Sequence, residues 1–154
     1  MDRPKKYNPK SKRTKKRNYK TGDFSIHGPK KYAGKPGTPI KYRSSYELKF
    51  MHQLEANPNV LWWNFENIRI PYIMVGIGGE KKRHNYIMDF QVKMLSGETF
   101  LCEVKPMAKT PLNESQINKS EDHRRNAFKW KAAMGWCKCN GHTFKIITER
   151  QLKI

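Results

Sequence analysis

Residues 86–106, YIMDFQVKMLSGETFLCEVKP, decide how the rest of the chain is read. Two apolar runs flank LSGE, a compact polar turn, so the stretch predicts a β-hairpin. Yet the first run carries Asp89 and the second carries Glu103 and Lys105. Charged groups in a hairpin core are costly unless they are paired, hydrogen-bonded or bound to a metal.

Strand side chains alternate between faces. In the second strand Phe100, Cys102 and Val104 fall on one face, and Leu101, Glu103 and Lys105 on the other. Treating RHNYIMDFQVKM as one strand groups Tyr86, Met88, Phe90 and Val92 opposite Ile87, Asp89 and Gln91. A short turn can then bring Asp89, Glu103 and Lys105 onto one face, near a strand end where sheets commonly open into a cleft. Two convergent carboxylates are hard-oxygen ligands suited to Mg²⁺ or Mn²⁺. Such an ion activates water and neutralises charge on phosphorus. The lysine would orient the attacking water or stabilise the transition state. The plainer reading makes Glu103 and Lys105 an exposed i, i+2 pair, with Asp89 satisfied by a turn.

Working outward, SSYELKFMHQLEANP places Tyr46, Phe50 and Leu54 four apart, with Leu48 and Met51 alongside. That spacing predicts an amphipathic helix ending at Asn57-Pro58. Ser44 and Glu47 fit a capping box at its start. VLWWNFENIRIPYIMV reads as two short strands, with Pro71 marking an edge or bulge. Gly76, Gly78 and Gly79 fit a hairpin turn better than a dinucleotide fingerprint, because Lys81 stands where the third glycine belongs. After a Pro-punctuated loop, a second helix is expected over Glu121–Cys139, with Ser120 as N-cap. Its inward stripe is read as Ala127, Trp130, Met134 and Cys137, leaving Arg124, Arg125 and Lys129 to point elsewhere. HTFKIIT predicts a strand and ERQLKI a short terminal helix. The order is that of a mixed α/β domain around a central sheet.

The 154 residues carry 32 Lys plus Arg against 13 Asp plus Glu, a net charge of +19. Charge of that size points to a polyanionic partner, and nucleic acid is the natural one. Residues 1–43 hold 15 Lys plus Arg against Asp2 and Asp23, a net of +13. This stretch is expected to be a basic arm, disordered or draped on its neighbour, preceding a domain over 44–154. Lys5, Lys6, Lys10, Lys12, Arg13, Lys15, Lys16, Arg17 and Lys20 are its candidate DNA contacts, with Arg124, Arg125 and Lys129 as candidates on the second helix. A membrane partner is not expected, since the chain has no 18-residue apolar run and no basic amphipathic helix. A secretory signal is not expected either, because the lysine-rich N-terminus lacks an apolar core.

Three cysteines without a framework spacing fit a reducing compartment. Cys137, Cys139 and His142, with His123 or Cys102 as a fourth donor, would be an unusual zinc set. Trp62 and Trp63 are adjacent and should face opposite ways.

Asp89 followed by Glu103-Val104-Lys105 resembles the signature of the PD-(D/E)XK nuclease superfamily, with Met88 where the proline usually stands. Glu47 resembles the glutamate often found on that superfamily's first core helix. From YRSSYELKF to FKIITERQL the chain is similar to the endonuclease subunits of Tn7-type transposases. Over its whole length, beginning RPKKYNPKSKRTKKRNYKTGDF, it is similar to the head-completion nucleases of T4-like phages. The resemblance implies a restriction-endonuclease-like αβββαβ core, a mixed sheet flanked by helices. It implies Glu47, Asp89, Glu103 and Lys105 as catalytic residues, the three carboxylates as metal ligands, and Mg²⁺, or Mn²⁺ in its place. It further implies cleavage of double-stranded DNA, endonucleolytic with or without exonuclease activity, late in head assembly, to let head and tail join. Portal or neck proteins are the implied partners, and the host cytoplasm or the virion head the implied location. The rival readings are a non-enzymatic basic protein that binds DNA or plugs a portal, and an RNA-binding protein without a recognisable RNA motif.

Overall fold

A computed structural model describes residues 21–24, 30–76, 78–110 and 121–153. The expected hairpin forms its centre. Strands β6 (Phe90–Met94) and β7 (Thr99–Val104) pair antiparallel, with Phe90 opposite Cys102 and Val92 opposite Phe100. Gly97, at φ 96°, supplies the left-handed residue of their turn. Strand β3 (Val60–Phe65) adds antiparallel to β6, and β8 (Thr143–Ile147) adds parallel to β7. A parallel pair needs a long crossover; helix α2 (Glu121–Asn140) lies within it. The result is a mixed four-stranded sheet, order β3-β6-β7-β8.

Each face of this sheet has its own core. On one face pack α1 (Ser45–Ala56) and the short α3 (Glu149–Leu152), burying Phe50, Met51, Leu54 and Leu152 with Trp63, Phe90, Val92, Cys102 and Val104. Full burial of each such side chain contributes roughly 1.5–3 kcal/mol. On the other face lie α2 and a separate antiparallel ribbon, β4 (Arg69–Val75) with β5 (Lys81–Ile87). Ile70, Tyr72, Tyr86, Met88, Leu101, Trp130, Ala133 and Cys137 form that second core. The ribbon turns at the glycines, as they indicated: Gly76 N donates to Glu80 O, and Gly79 adopts φ 81°.

Two expectations need correction. The first hairpin strand is not continuous: it breaks at Met88-Asp89, between β5 and β6. There the Met88 amide donates to Ile68 O and the Asp89 carbonyl accepts from Glu66 N, which redirects the chain from the ribbon into the central sheet. The alternation changes phase at the break. Tyr86 and Met88 therefore enter the α2-side core, while Phe90 and Val92 enter the α1-side core. The stripe of α2 is also shifted: Asn126, Trp130, Ala133 and Cys137 are buried, whereas Met134 is 53% exposed and Ala127 half-buried. The true stripe follows i, i+4, i+7 and i+11, with a polar residue at its head.

The basic stretch contributes to the fold. Strands β1 (Gly22–Phe24) and β2 (Ile40–Tyr42) pair, and Phe24 and Ile40 are buried in the α1-side core. Trp63 exchanges backbone hydrogen bonds with Lys31 and Ala33, and Glu55 accepts the amides of Lys30 and Lys31. The nine candidate cations from Lys5 to Lys20, and the proposed N-cap Ser120, lie outside the described residues.

Candidate active site

Glu103 is the penultimate residue of β7, a central strand, and Lys105 follows just past the strand end. The ladder continues there, since Lys105 N donates to Ile147 O. Leu101 belongs to the α2-side core, so Glu103 projects to that side as alternation required. It is buried, with 6% of its surface exposed. Asp89 reaches it from the bend: its Oδ2 accepts the Val104 amide at 2.9 Å. Asp89 and Glu103 lie close enough there to perturb each other's ionisation.

Electrostatics follow from that closeness. Burial, then Glu103 and then Glu47 drive the Asp89 pKa well above the usual carboxylate range, against the opposing Val104 amide. Burial also raises Glu103, while Tyr86, Lys105 and Lys129 pull it down. Glu47, buried on the first turn of α1, is raised mainly by burial and further by Glu66 and Glu103. The structure thus brings Asp89, Glu103 and Lys105 together and sets Glu47 within electrostatic reach of both carboxylates.

Glu47 has a structural bond as well. Its amide donates to Ser44 Oγ at 3.1 Å, half of the expected capping box. Its carboxylate, however, accepts from Arg43 N at 2.7 Å instead of from Ser44 N. Among the described residues no three Asp, Glu, His or Cys side chains are arranged to hold an ion. The donor set at the strand end is therefore a carboxylate pair, Asp89 and Glu103. Such a pair suits a hard divalent cation that keeps several waters, and the cation would offset the burial that raises both pKa values and the carboxylate neighbours that raise Asp89 further.

Sequence reasoning missed two groups. Tyr86 donates its hydroxyl to Glu103 Oε2 at 2.5 Å, both residues being buried. Lys129 does not point away: its Nζ lies 5.2 Å from the Tyr86 ring centroid, and it is attracted to Glu103 and Asp89. Burial lowers its pKa, partly offset by Glu103. Had the α2 stripe been set on Asn126 and Trp130, Lys129 at i+3 from Asn126 would have fallen at its border. The other two α2 cations are differently engaged. Arg124 donates to Val75 O at 2.6 Å, and Arg125 pairs with Glu121 and Asp122 at 3.6 and 3.7 Å. The proposed zinc donors stay apart in role: Cys137 is buried in α2, Cys139 is exposed, and His142 contacts Gln91 and Asn140 O.

A mixed sheet with helices on both faces, and an Asp and a Glu-x-Lys meeting at its central strand ends, is the PD-(D/E)XK arrangement. Residues 57–149 match the family described as TnsA-like endonuclease N terminal, and the chain belongs to that family. It is also 34% identical over 134 residues to the head completion nuclease of Enterobacteria phage T4, covering 80% of this chain and 87% of that protein. Asp89, Glu103 and Lys105 lie inside the family match; Glu47 lies ahead of it.

Proposed function

We propose that this protein is a Mg²⁺-dependent DNA endonuclease that trims packaged double-stranded DNA during phage head completion. The observation that carries the reading is the meeting of Asp89 and Glu103, from two segments, beside Lys105. The relative named for head completion supports the assembly role. A divalent cation held by Asp89 and Glu103 would supply charge neutralisation and an acidified water. The Val104 amide fixes Asp89 and the Tyr86 hydroxyl fixes Glu103, so neither carboxylate has to be reoriented when substrate arrives. Lys105 presents an ammonium to the phosphate, where charge grows in the transition state. Glu47, reaching in from the α1 side, would act as a further ligand or base for the attacking water. Hydrolysis adds water oxygen to phosphorus and breaks the opposite P–O bond, whose oxygen leaves with the electron pair and takes up a proton.

Cations at Lys5 to Lys20 are proposed to hold the DNA backbone. Deleting residues 1–20 removes ten Lys and Arg, and each lost phosphate contact should make the log–log salt slope shallower by about 0.9. The enzymatic reading itself is tested by incubating supercoiled plasmid with the full chain. Nicked and linear products with Mg²⁺, and none with EDTA, are expected; intact plasmid under both conditions sinks it.

A further inference from the structure

The β4–β5 ribbon stands outside the central sheet, and only one of its faces is used by the fold. It is paired along its full length, from Arg69 opposite Ile87 to Val75 opposite Lys81. Paired residues share a face. Ile70 with Tyr86 and Tyr72 lie on the inner face, where they join the α2-side core. The outer face carries Arg69 with Ile87, Pro71 with Asn85, Ile73 with Arg83, and Val75 with Lys81.

Nothing among the described residues covers that outer face. Arg69, Lys81 and Arg83 are exposed, and Ile73 and Ile87 leave 51% and 45% of their surfaces in solvent. Ile73 and Ile87 thus stand as open apolar side chains beside the cations of the same face. Neither strand contains an acidic residue; the ribbon's one carboxylate among the described residues, Glu80, lies in its turn. Lys81 and Arg83, two residues apart on one strand, are about 7 Å from each other along it. Both strands run seven residues, a ribbon of about 20–24 Å. Its base is the candidate site: Tyr86 of β5 bonds Glu103, and Asp89 lies two residues beyond the end of β5.

We propose that the outer face of the β4–β5 ribbon docks on the duplex flanking the scissile bond, with Arg69, Lys81 and Arg83 on backbone phosphates and Ile73 and Ile87 against the sugars. A two-stranded ribbon is of a size that the major groove of B-form DNA admits, and three cations spaced along its outer face are complementary to the phosphate walls. The inference rests on the proposed DNA-cleaving function, and it adds which surface selects duplex over single strand.

The experiment measures binding without cleavage. Anisotropy of a labelled duplex of about three helical turns is followed against salt in EDTA, with the full chain, so a failure of metal-dependent cutting leaves the result interpretable. The triple variant R69Q/K81Q/R83Q should bind more weakly, with a log–log slope shallower by about 2.7 at 0.9 per phosphate contact. A control triple of exposed lysines on α2 and after α3, K131Q/K138Q/K153Q, should change the slope by less than about one unit. Circular dichroism should show both variants folded. The inference is overturned if the two triples give the same slope. It is overturned equally if the ribbon variant's loss appears only with a single-stranded oligonucleotide.

Discussion

Tyr86 and Glu103 are joined across 2.5 Å, hydroxyl to carboxylate, inside the core between the ribbon and α2. The bond links the base of the ribbon to the central strand, and it leaves Glu103 one oxygen fixed and one available. Tyr86→Phe removes the donor and leaves a buried carboxylate oxygen unpaired, at a stability loss of about 1–3 kcal/mol. A merely structural tyrosine would lower only the melting temperature. The positioning role predicts in addition that half-maximal cleavage needs several-fold more Mg²⁺. An unchanged Mg²⁺ dependence would reduce Tyr86 to packing.

Glu47 separates capping from catalysis. Glu47→Gln keeps the main-chain bond to Ser44, and its side-chain oxygen can still accept from Arg43 N. Stability should therefore change by less than about 1 kcal/mol. Cleavage should fall to a small fraction, because a neutral amide cannot take a proton from water. Wild-type activity with wild-type melting would return Glu47 to the cap alone.

Without metal, the carboxylates should make the fold less stable as pH rises. Asp89, Glu103 and Glu47 all have raised pKa values, chiefly from burial, so the folded state binds more protons than the unfolded one. Stability from these groups is present below the ordinary carboxylate pKa and is lost as pH climbs through the raised values. Half-buried Glu149, lowered by hydrogen bonds from its own amide and from Met107 N, acts in the opposite sense. In EDTA the melting temperature should fall as pH rises above the ordinary carboxylate range, and less so in Asp89→Asn. Parallel curves for the two proteins would show that Asp89 carries no such strain.

Thiol chemistry probes the α2 stripe. Cys102 and Cys137 are buried, and burial pushes their thiols up to about 12 and about 11, whereas Cys139 is exposed. A thiol-disulfide reagent at pH 8 should label one cysteine rapidly in the native protein and three in denaturant. Two fast thiols in the native protein would put the helix in a different rotation.

The hairpin, the turn glycines and the start of α1 were legible because each is a local pattern: alternation, a left-handed residue, a Ser with Glu three on. Asp89, Glu103 and Lys105 were legible as residue types at the open end of the hairpin. The break at Met88-Asp89 was not, since Met88 is apolar and continues the alternation, while the hydrogen bonds from Ile68 and Glu66 that bend the chain come from about twenty residues away. Tyr86 and Lys129 escaped notice for a related reason. Their roles exist only once the ribbon and α2 meet over β7. Phe24 and Ile40 are single apolar residues among cations, and no periodicity announces that they enter a core.

Plasmid cleavage by Asp89→Asn and Lys105→Ala tests the central claim most directly. Removing a metal ligand or the ammonium should lower the Mg²⁺-dependent rate by at least about 10²-fold, since each effect is worth several kcal/mol. Folding and duplex affinity in EDTA should stay close to wild type, because the proposed DNA contacts lie on the arm and the ribbon. Both variants cutting at the wild-type rate would contradict the account and place the chemistry elsewhere in the protein.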